Sequence, residues 1–337
     1  MTNDLSQKDL DTLSDDELDA YLASLQDAHL PDEVLGQGAG ELKSGFVALV
    51  GRPNSGKSTL LNACMGEKIA ITSPVAQTTR RRLRAVVRRP NTQIVIVDTP
   101  GLHKPKDGLG AELNRTALGE MSDVDVVVFA LDATAPFGRG DAWILERMSA
   151  LSVPKLLVIT KADLAGQDQV HDQIQAASTL VSFADVMVVS AQEGFNVEAF
   201  VSLVASYLPK GPAWFPEDMD TDEPDEMLVA EFIREKVLRR TKEEVPHSVG
   251  VVCNTLERGK GGLVRIHATI YVEREGQKGI LIGKGGEMIK RVGTDARRDL
   301  ERLFGARVYL DLDVGVKTRW RDSDREIQLF GYGADGS

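Results

Sequence analysis

Nine residues, Gly51-Arg52-Pro53-Asn54-Ser55-Gly56-Lys57-Ser58-Thr59, constrain this chain more than any other stretch. They follow the apolar run Phe46-Val47-Ala48-Leu49-Val50 and precede Leu60-Leu61-Asn62-Ala63. That order spells strand, tight loop, helix, the context in which G-x-x-x-x-G-K-[ST] carries meaning. Backbone N–H groups of such a loop point inward and cradle phosphates at a helix start. Asn54, Ser55, Gly56, Lys57, Ser58 and Thr59 are therefore candidate nucleotide-binding residues. Lys57 is expected to reach the β- and γ-phosphates, and Ser58 to present its hydroxyl to Mg²⁺.

The surrounding pattern extends the argument. Leu83–Arg88, Gln93–Val97, Val126–Leu131, Lys155–Thr160 and Val186–Ser190 have strand length and are largely apolar, with helical patterns at Gly108–Met121, Gly140–Leu151 and Val170–Leu180. That alternation predicts an α/β unit with a mostly parallel sheet covered on both faces. Leu83–Arg88 and Gln93–Val97 are joined so briefly, through Pro90-Asn91, that this pair should be an antiparallel hairpin. Ligands of open α/β sheets bind at the carboxyl ends of the strands, and three further segments stand there. Asp98-Thr99-Pro100-Gly101 places a carboxylate to hold Mg²⁺ and a glycine N–H to meet the γ-phosphate. Thr160-Lys161-Ala162-Asp163 offers the Asp163 carboxylate to the N1–H and amino group of guanine, donors that adenine lacks at those edges. The stem of Lys161 can lie along the base. Ser190-Ala191-Gln192 ends the last strand, where its backbone can meet guanine O6.

Composition bounds the alternatives. A length of 337 residues allows two or three domains, and two cysteines, Cys64 and Cys253, exclude a disulfide scaffold. The first residues lack a basic region and an apolar core, so neither a signal peptide nor a membrane span is expected. The formal net charge of -11 argues against wholesale wrapping by nucleic acid. Residues 1–44, however, hold eleven acids against Lys8 and Lys43, a balance of −9. They form an acidic extension in which Ser14 and Glu17 can cap a short helix carrying Leu18, Tyr21, Leu22 and Leu25. A first domain then spans 45–208, a proline-punctuated linker 209–227, a second domain 228–331 and a tail 332–337.

The second domain reads as α+β: a helix at Leu228–Arg240, strands at Ser248–Glu257 and Leu263–Val272, a glycine-rich loop opening a helix near 288–303, and a strand at Arg307–Asp313. Its loop is Gly283-Lys284-Gly285-Gly286. A G-x-x-G loop between helices clamps the backbone of about four single-stranded nucleotides. Gly283, Gly285 and Gly286 allow close approach and Lys284 supplies charge. Ile280 and Ile282 offer an apolar platform, and Lys290 and Lys317 are further RNA-facing candidates. The stretch from Gln277 to Ser337 has twelve bases and ten acids, which points to selective binding of modest strength over general adhesion.

Taken in order, Gly51–Ser58, Gln77-Thr78-Thr79-Arg80, Asp98–Gly101, Thr160–Asp163 and Ser190–Gln192 resemble the motifs of a translation-factor-related GTPase. The second half is similar to a type II KH domain. Together, with Ile71-Thr72-Ser73, Leu208-Pro209, Phe215-Pro216, Glu231–Lys236, Glu243–Ser248 and Ile282–Ile289, they resemble the bacterial Era GTPase family over about residues 44–331. The resemblance implies GTP, GDP and Mg²⁺ as ligands, with a K⁺ ion near Asn54. It implies Lys57, Thr79 and Gly101 at the catalytic phosphate, Thr78 being the rival of Thr79. It makes Ser58, Thr79 and Asp98 the metal set, and Thr160, Lys161, Asp163, Ser190 and Ala191 the base-side set. Threonine replaces the family's usual asparagine at Thr160 but keeps a hydroxyl for the phosphate loop. Leu102 stands where better-known switch GTPases carry a water-orienting glutamine, so intrinsic hydrolysis should be slow. His103 reads as a mobile surface histidine. The implied partners are 16S rRNA near its 3′ end and the 30S subunit, bound by a monomeric cytoplasmic protein with peripheral contact at the inner face of the cell membrane.

Overall fold

The computed structural model describes residues 42–105, 107–259 and 261–332. Most of the acidic extension, with the helix expected there, lies outside these residues, as do 333–337; only its last three residues are described, and Lys43 and Ser44 already belong to the first strand. Six strands form the larger sheet: β1 (Lys43–Val50), β2 (Leu83–Arg89), β3 (Thr92–Asp98), β4 (Val126–Asp132), β5 (Lys155–Thr160) and β6 (Asp185–Val188). Their order is β2-β3-β1-β4-β5-β6. All neighbours run parallel except β2 and β3, which form the expected hairpin from Leu83 opposite Asp98 to Arg89 opposite Thr92. Five helices clothe the faces: α1 (Lys57–Met65), α2 (Gly108–Glu120), α3 (Arg139–Ser149), α4 (Gln167–Ser178) and α5 (Val197–Tyr207). The central strands β1, β3, β4 and β5 read largely apolar because both of their faces are buried, whereas the edge strands β2 and β6 are partly exposed. Val47 and Leu49 enter one core with Leu60 and Phe200, and Ala48 and Val50 enter the other with Phe129 and Ile144.

The proline-rich segment after α5 is a cover for the sheet's edge. Val86 donates its N–H to the Asp220 carbonyl at 2.9 Å, and Gln93 Oε1 accepts from the N–H groups of Trp214 and Phe215 at 2.7 and 3.0 Å. Arg81, Arg84 and Arg88 pair with Glu223, Asp222 and Asp220. The acidic residues of this segment thus meet the arginines on and just before β2, and they cover part of an edge that would otherwise be open to pairing.

The smaller sheet has the order β7-β8-β9, from β7 (Gly250–Arg258), β8 (Val264–Val272) and β9 (Val308–Val316). β7 pairs antiparallel and β9 parallel with β8. Helices α6 (Asp225–Arg240), α8 (Glu275–Ile282) and α9 (Glu287–Phe304) pack on it, while the short α7 (Val245–Ser248) precedes β7 and α10 (Asp324–Leu329) follows β9. Val229, Ile233, Val237, Leu281, Val292, Ala296 and Leu300 supply the helical side of this core. No helix among the described residues is long and apolar enough to cross a membrane.

The two units are joined by buried contacts. Ile71, from the loop after α1, lies in the core of the smaller unit. Glu235 of α6 is fully buried; it accepts from Lys68 Nζ at 2.5 Å and from Thr72 N at 2.9 Å. Lys68 also reaches Asp299 of α9 at 2.7 Å. At the chain's end Trp320, Ile327, Phe330 and Tyr332 close over Leu109 and Leu113 of α2. Trp320 is completely buried and donates Nε1–H to the Ser248 carbonyl at 2.8 Å. Deleting so large a core side chain costs about 3–5 kcal/mol. Trp320→Ala should therefore lower the urea midpoint strongly, whereas Trp214→Ala, at a site 57% exposed, should cost far less; equal losses would contradict this packing.

Candidate functional site

The carboxyl ends of β1, β3 and β5 converge on one cavity of about 300 Å³, lined by Asn54, Lys57, Ser58, Gln77, Thr79 and Gly101 among others. Lys57 opens α1. Its Nζ donates to the carbonyls of Gly51 and Arg52 at 3.2 and 2.9 Å, which folds the loop around the ammonium. Burial pushes its pKa down to about 8, and Asp98 opposes that shift.

Asp98, at the end of β3, is fully buried. Its Oδ2 accepts from Ser58 Oγ at 2.6 Å and from Thr79 Oγ1 at 3.3 Å, and those two hydroxyls lie 2.9 Å apart. Its Oδ1 is buried with no hydrogen-bond partner. Burial raises the carboxyl pKa, while Lys57 and the two hydroxyls lower it. A buried carboxylate with an unsatisfied oxygen beside two hydroxyls suits a hard, oxygen-seeking cation such as Mg²⁺. Thr78 lines the same cavity, but its hydroxyl is taken up locally: it donates to the Val75 carbonyl at 2.6 Å and lies 2.7 Å from Ser73 Oγ.

Gly101 passes so close to the phosphate loop that a Cβ there would fall 2.5 Å from Pro53 N. Leu102 donates its N–H to the Gly51 carbonyl at 3.2 Å and buries its side chain in the core, away from any reacting phosphate. Asn54 Nδ2 donates to the Pro74 carbonyl at 2.8 Å, tying the phosphate loop to the Thr79 loop. The Ser55 hydroxyl is buried and without a partner.

On the base side, Thr160 Oγ1 donates to the carbonyls of Ser55 and Leu131 at 2.8 and 3.2 Å. The hydroxyl expected to support the phosphate loop is in contact with it. Lys161 pairs with Asp132 at 2.5 Å. Asp163 sits exposed in a short 3₁₀ turn, Ala162–Leu164. The Ala162 N–H meets the Val189 carbonyl at 3.2 Å, which brings that turn beside Ser190 and Ala191.

Sequence reasoning missed two features. His103 is fixed where a mobile surface residue was expected. Its Nδ1 lies 3.0 Å from the Gly101 carbonyl and its Nε2 2.5 Å from Gln77 Nε2, while Asn114 bonds both its backbone groups. Arg80, next to Thr79, is 1% exposed and reaches into the smaller unit. It donates to the carbonyls of Val249, His247 and Pro246 at 2.6, 3.1 and 3.3 Å and lies against the rings of Trp320 and Tyr332. A charged residue amid a polar loop gives no sign of burial until its partners, some 170 residues away, are known.

The second site lies on the smaller unit. Helix α8, unexpected in extent, ends at Gly283, and α9 begins after Gly286. A Cβ at Gly283 would fall 2.8 Å from Met288 Cβ, at a φ of +74 that side chains rarely adopt. Gly285 and Gly286 also have positive φ, with open space around them. Lys284, Lys290 and Ile280 are exposed, and Ile282 is half-buried. Lys317 pairs with Glu326 at 2.6 Å and lies 5.1 Å from the centre of the Tyr271 ring, so it is engaged inside its own unit.

Residues 46–161 match the 50S ribosome-binding GTPase family and residues 244–321 the KH domain family. Two solved structures are similar across nearly their whole length. One is Era in complex with MgGDPNP and nucleotides 1506-1542 of 16S ribosomal RNA. The other is a single-substitution variant of Aquifex aeolicus Era bound to GDP and AlF4⁻. Each is 39% identical, with a TM-score of 0.83 over 87% of this chain and 99% or 100% of the other. With the phosphate loop, the mostly parallel sheet and the KH unit all in their places, this chain belongs to the Era GTPase family, a GTP-hydrolysing domain joined to a KH domain and served by GTP, GDP and Mg²⁺.

Proposed function

We propose that this protein is a GTP-controlled switch that binds 16S rRNA near its 3′ end and assists assembly of the 30S subunit. One observation carries the reading: the residues flanking Thr79 are held by the KH unit. Thr78 gives its carbonyl to the fully buried Arg234, and Arg80 donates to the carbonyls around Val249. A loop that shifts to meet a γ-phosphate cannot do so without moving these anchors.

In this reading Ser58, Thr79 and Asp98 hold Mg²⁺, which supplies charge stabilisation to the phosphates. Lys57 and the Gly101 N–H meet the transferring phosphoryl group, with Ser55, Gly56 and Thr59 completing the cradle. Asn54 keeps its amide oxygen for a K⁺ ion. Asp163, Lys161, Ser190 and Ala191 select guanine, with Thr160 bracing the phosphate loop. Ile280, Ile282, Gly283–Gly286 and Lys290 form the RNA clamp, with Lys317 at its margin. Such a protein works as a cytoplasmic monomer, touching the inner face of the membrane only peripherally. The rival, an RNA-binding module with a purely structural nucleotide pocket, predicts no turnover and no response of RNA binding to nucleotide.

The direct test is crosslinking of the intact protein to 30S particles in the presence of a GTP analogue. Lys284→Asp with Gly285→Asp should remove the crosslink to the 3′ end of 16S rRNA and leave nucleotide affinity unchanged; a persisting crosslink would overturn the clamp assignment.

Lys57 yields a second prediction. Its pKa is depressed to about 8 without phosphate, and a bound polyphosphate favours the charged form. Nucleotide binding should therefore take up a proton between about pH 8 and the ordinary lysine range, and affinity should fall as pH rises through that window. Calorimetry at about pH 9 in buffers of different ionisation enthalpy reads this directly. Proton release there would contradict the assignment.

A further inference from the structure

We propose that Gln77, held in place by His103, positions the attacking water for GTP hydrolysis. The inference rests on reading the Thr79 and Gly101 loops as the walls of the γ-phosphate site. The need for such a residue follows from Leu102, which is 1% exposed, packed in the core and unable to donate or accept through its side chain. Gln77 lines the same cavity as Lys57, Ser58, Thr79 and Gly101. It brings to that cavity, from the opposite loop, the side-chain amide that the position after Gly101 lacks.

The orientation of that amide follows from hydrogen-bond chemistry. His103 Nδ1 lies 3.0 Å from the Gly101 carbonyl oxygen. A carbonyl only accepts and an amide nitrogen only donates, so Nδ1 carries the ring proton and Nε2 is an acceptor. Gln77 Nε2, 2.5 Å away, is then the donor. With its nitrogen engaged by the ring, the amide's remaining strong acceptor is Oε1, the atom that can receive a hydrogen bond from water and aim its lone pair at phosphorus. In that step the water oxygen bonds to the γ-phosphorus. The bond to the β–γ bridging oxygen breaks, with its electron pair leaving on GDP. The water proton ends on the released phosphate, and Gln77 takes none.

The surroundings hold this arrangement rigid. Asn114 of α2 accepts from the His103 N–H at 3.3 Å and donates to its carbonyl at 2.6 Å. The Gly101–Leu102 peptide is fixed at both ends, its carbonyl by the His103 ring and its N–H by the Gly51 carbonyl. Gln77 itself has φ +63, a left-handed conformation that residues with side chains adopt only where neighbours impose it.

The test uses the full chain with Gln77→Leu, His103→Phe and the double variant. Single-turnover GTP hydrolysis should fall about tenfold or more in each single variant. Affinity for a non-hydrolysable GTP analogue should stay within about twofold, and the complex with GDP and aluminium fluoride should no longer form. Because the two side chains act as one unit, the double variant should be no slower than the poorer single. Three results would each overturn the proposal: unaltered hydrolysis by Gln77→Leu, analogue affinity falling in step with rate, or losses that multiply in the double variant. If the unaltered protein failed to bind the analogue, the nucleotide site itself would be wrong, and the water-positioning role with it.

Discussion

The arrangement of this molecule depends on the burial of one guanidinium. Arg80 has lost nearly all contact with water, and burial pulls its pKa down to about 10, with Arg234 adding repulsion. A buried charge survives only when hydrogen bonds and opposite charges replace its hydration. Here three carbonyls of the KH unit do so, with Glu231 nearby and two aromatic rings against the guanidinium. Its Nε remains buried without a partner. The site is therefore satisfied in one geometry, and any displacement of Arg80 exposes carbonyls and charge to an apolar surrounding that cannot compensate them.

That constraint sits one peptide from Thr79, whose hydroxyl touches Ser58 and Asp98. Thr79, a proposed Mg²⁺ ligand, is thus the immediate sequence neighbour of a residue anchored in the KH unit, with no intervening chain to absorb movement. A second connection runs from the Gly101 loop through His103 and Asn114 into α2, whose Leu109 and Leu113 lie under the Trp320 cluster. A third runs through Lys68 and Thr72 to Glu235. Three contacts, from the loops beside the proposed phosphate site and from α2, thus enter the KH unit and its C-terminal cluster. In the proposed switch, these packed contacts are the path by which nucleotide at one unit biases the other.

Much of this was legible in the sequence. The strand–loop–helix at Gly51–Ser58 and the strand-end Asp98 and Asp163 followed from periodicity and loop chemistry. So did the hairpin, because few residues separate its arms. The G-x-x-G loop was visible, but α8 before it was not, since Gly276 and Gly279 break the helical pattern. The Gln77–His103 contact joins residues 26 apart whose loops meet only once β1, β2 and β3 are aligned. That Trp320, Phe330 and Tyr332 would form a shared core was not legible, because their partners, Leu109 and Leu113, belong to the other domain. Local signals report the chain's period and its turns; they do not report which polar side chain will find its partner across an interface.

If Arg80 carries the message between nucleotide and RNA, the two ligands must change each other's affinity by the same factor. The decisive measurement is the affinity of a 16S rRNA 3′-end oligonucleotide in the GTP-analogue and GDP states, for the intact protein and for Arg80→Ala. A difference between the two states of about tenfold, reduced to near equality in Arg80→Ala, is expected. Equal affinity in both states for the unaltered protein, or an undiminished difference in Arg80→Ala, would contradict a coupling built on that buried charge.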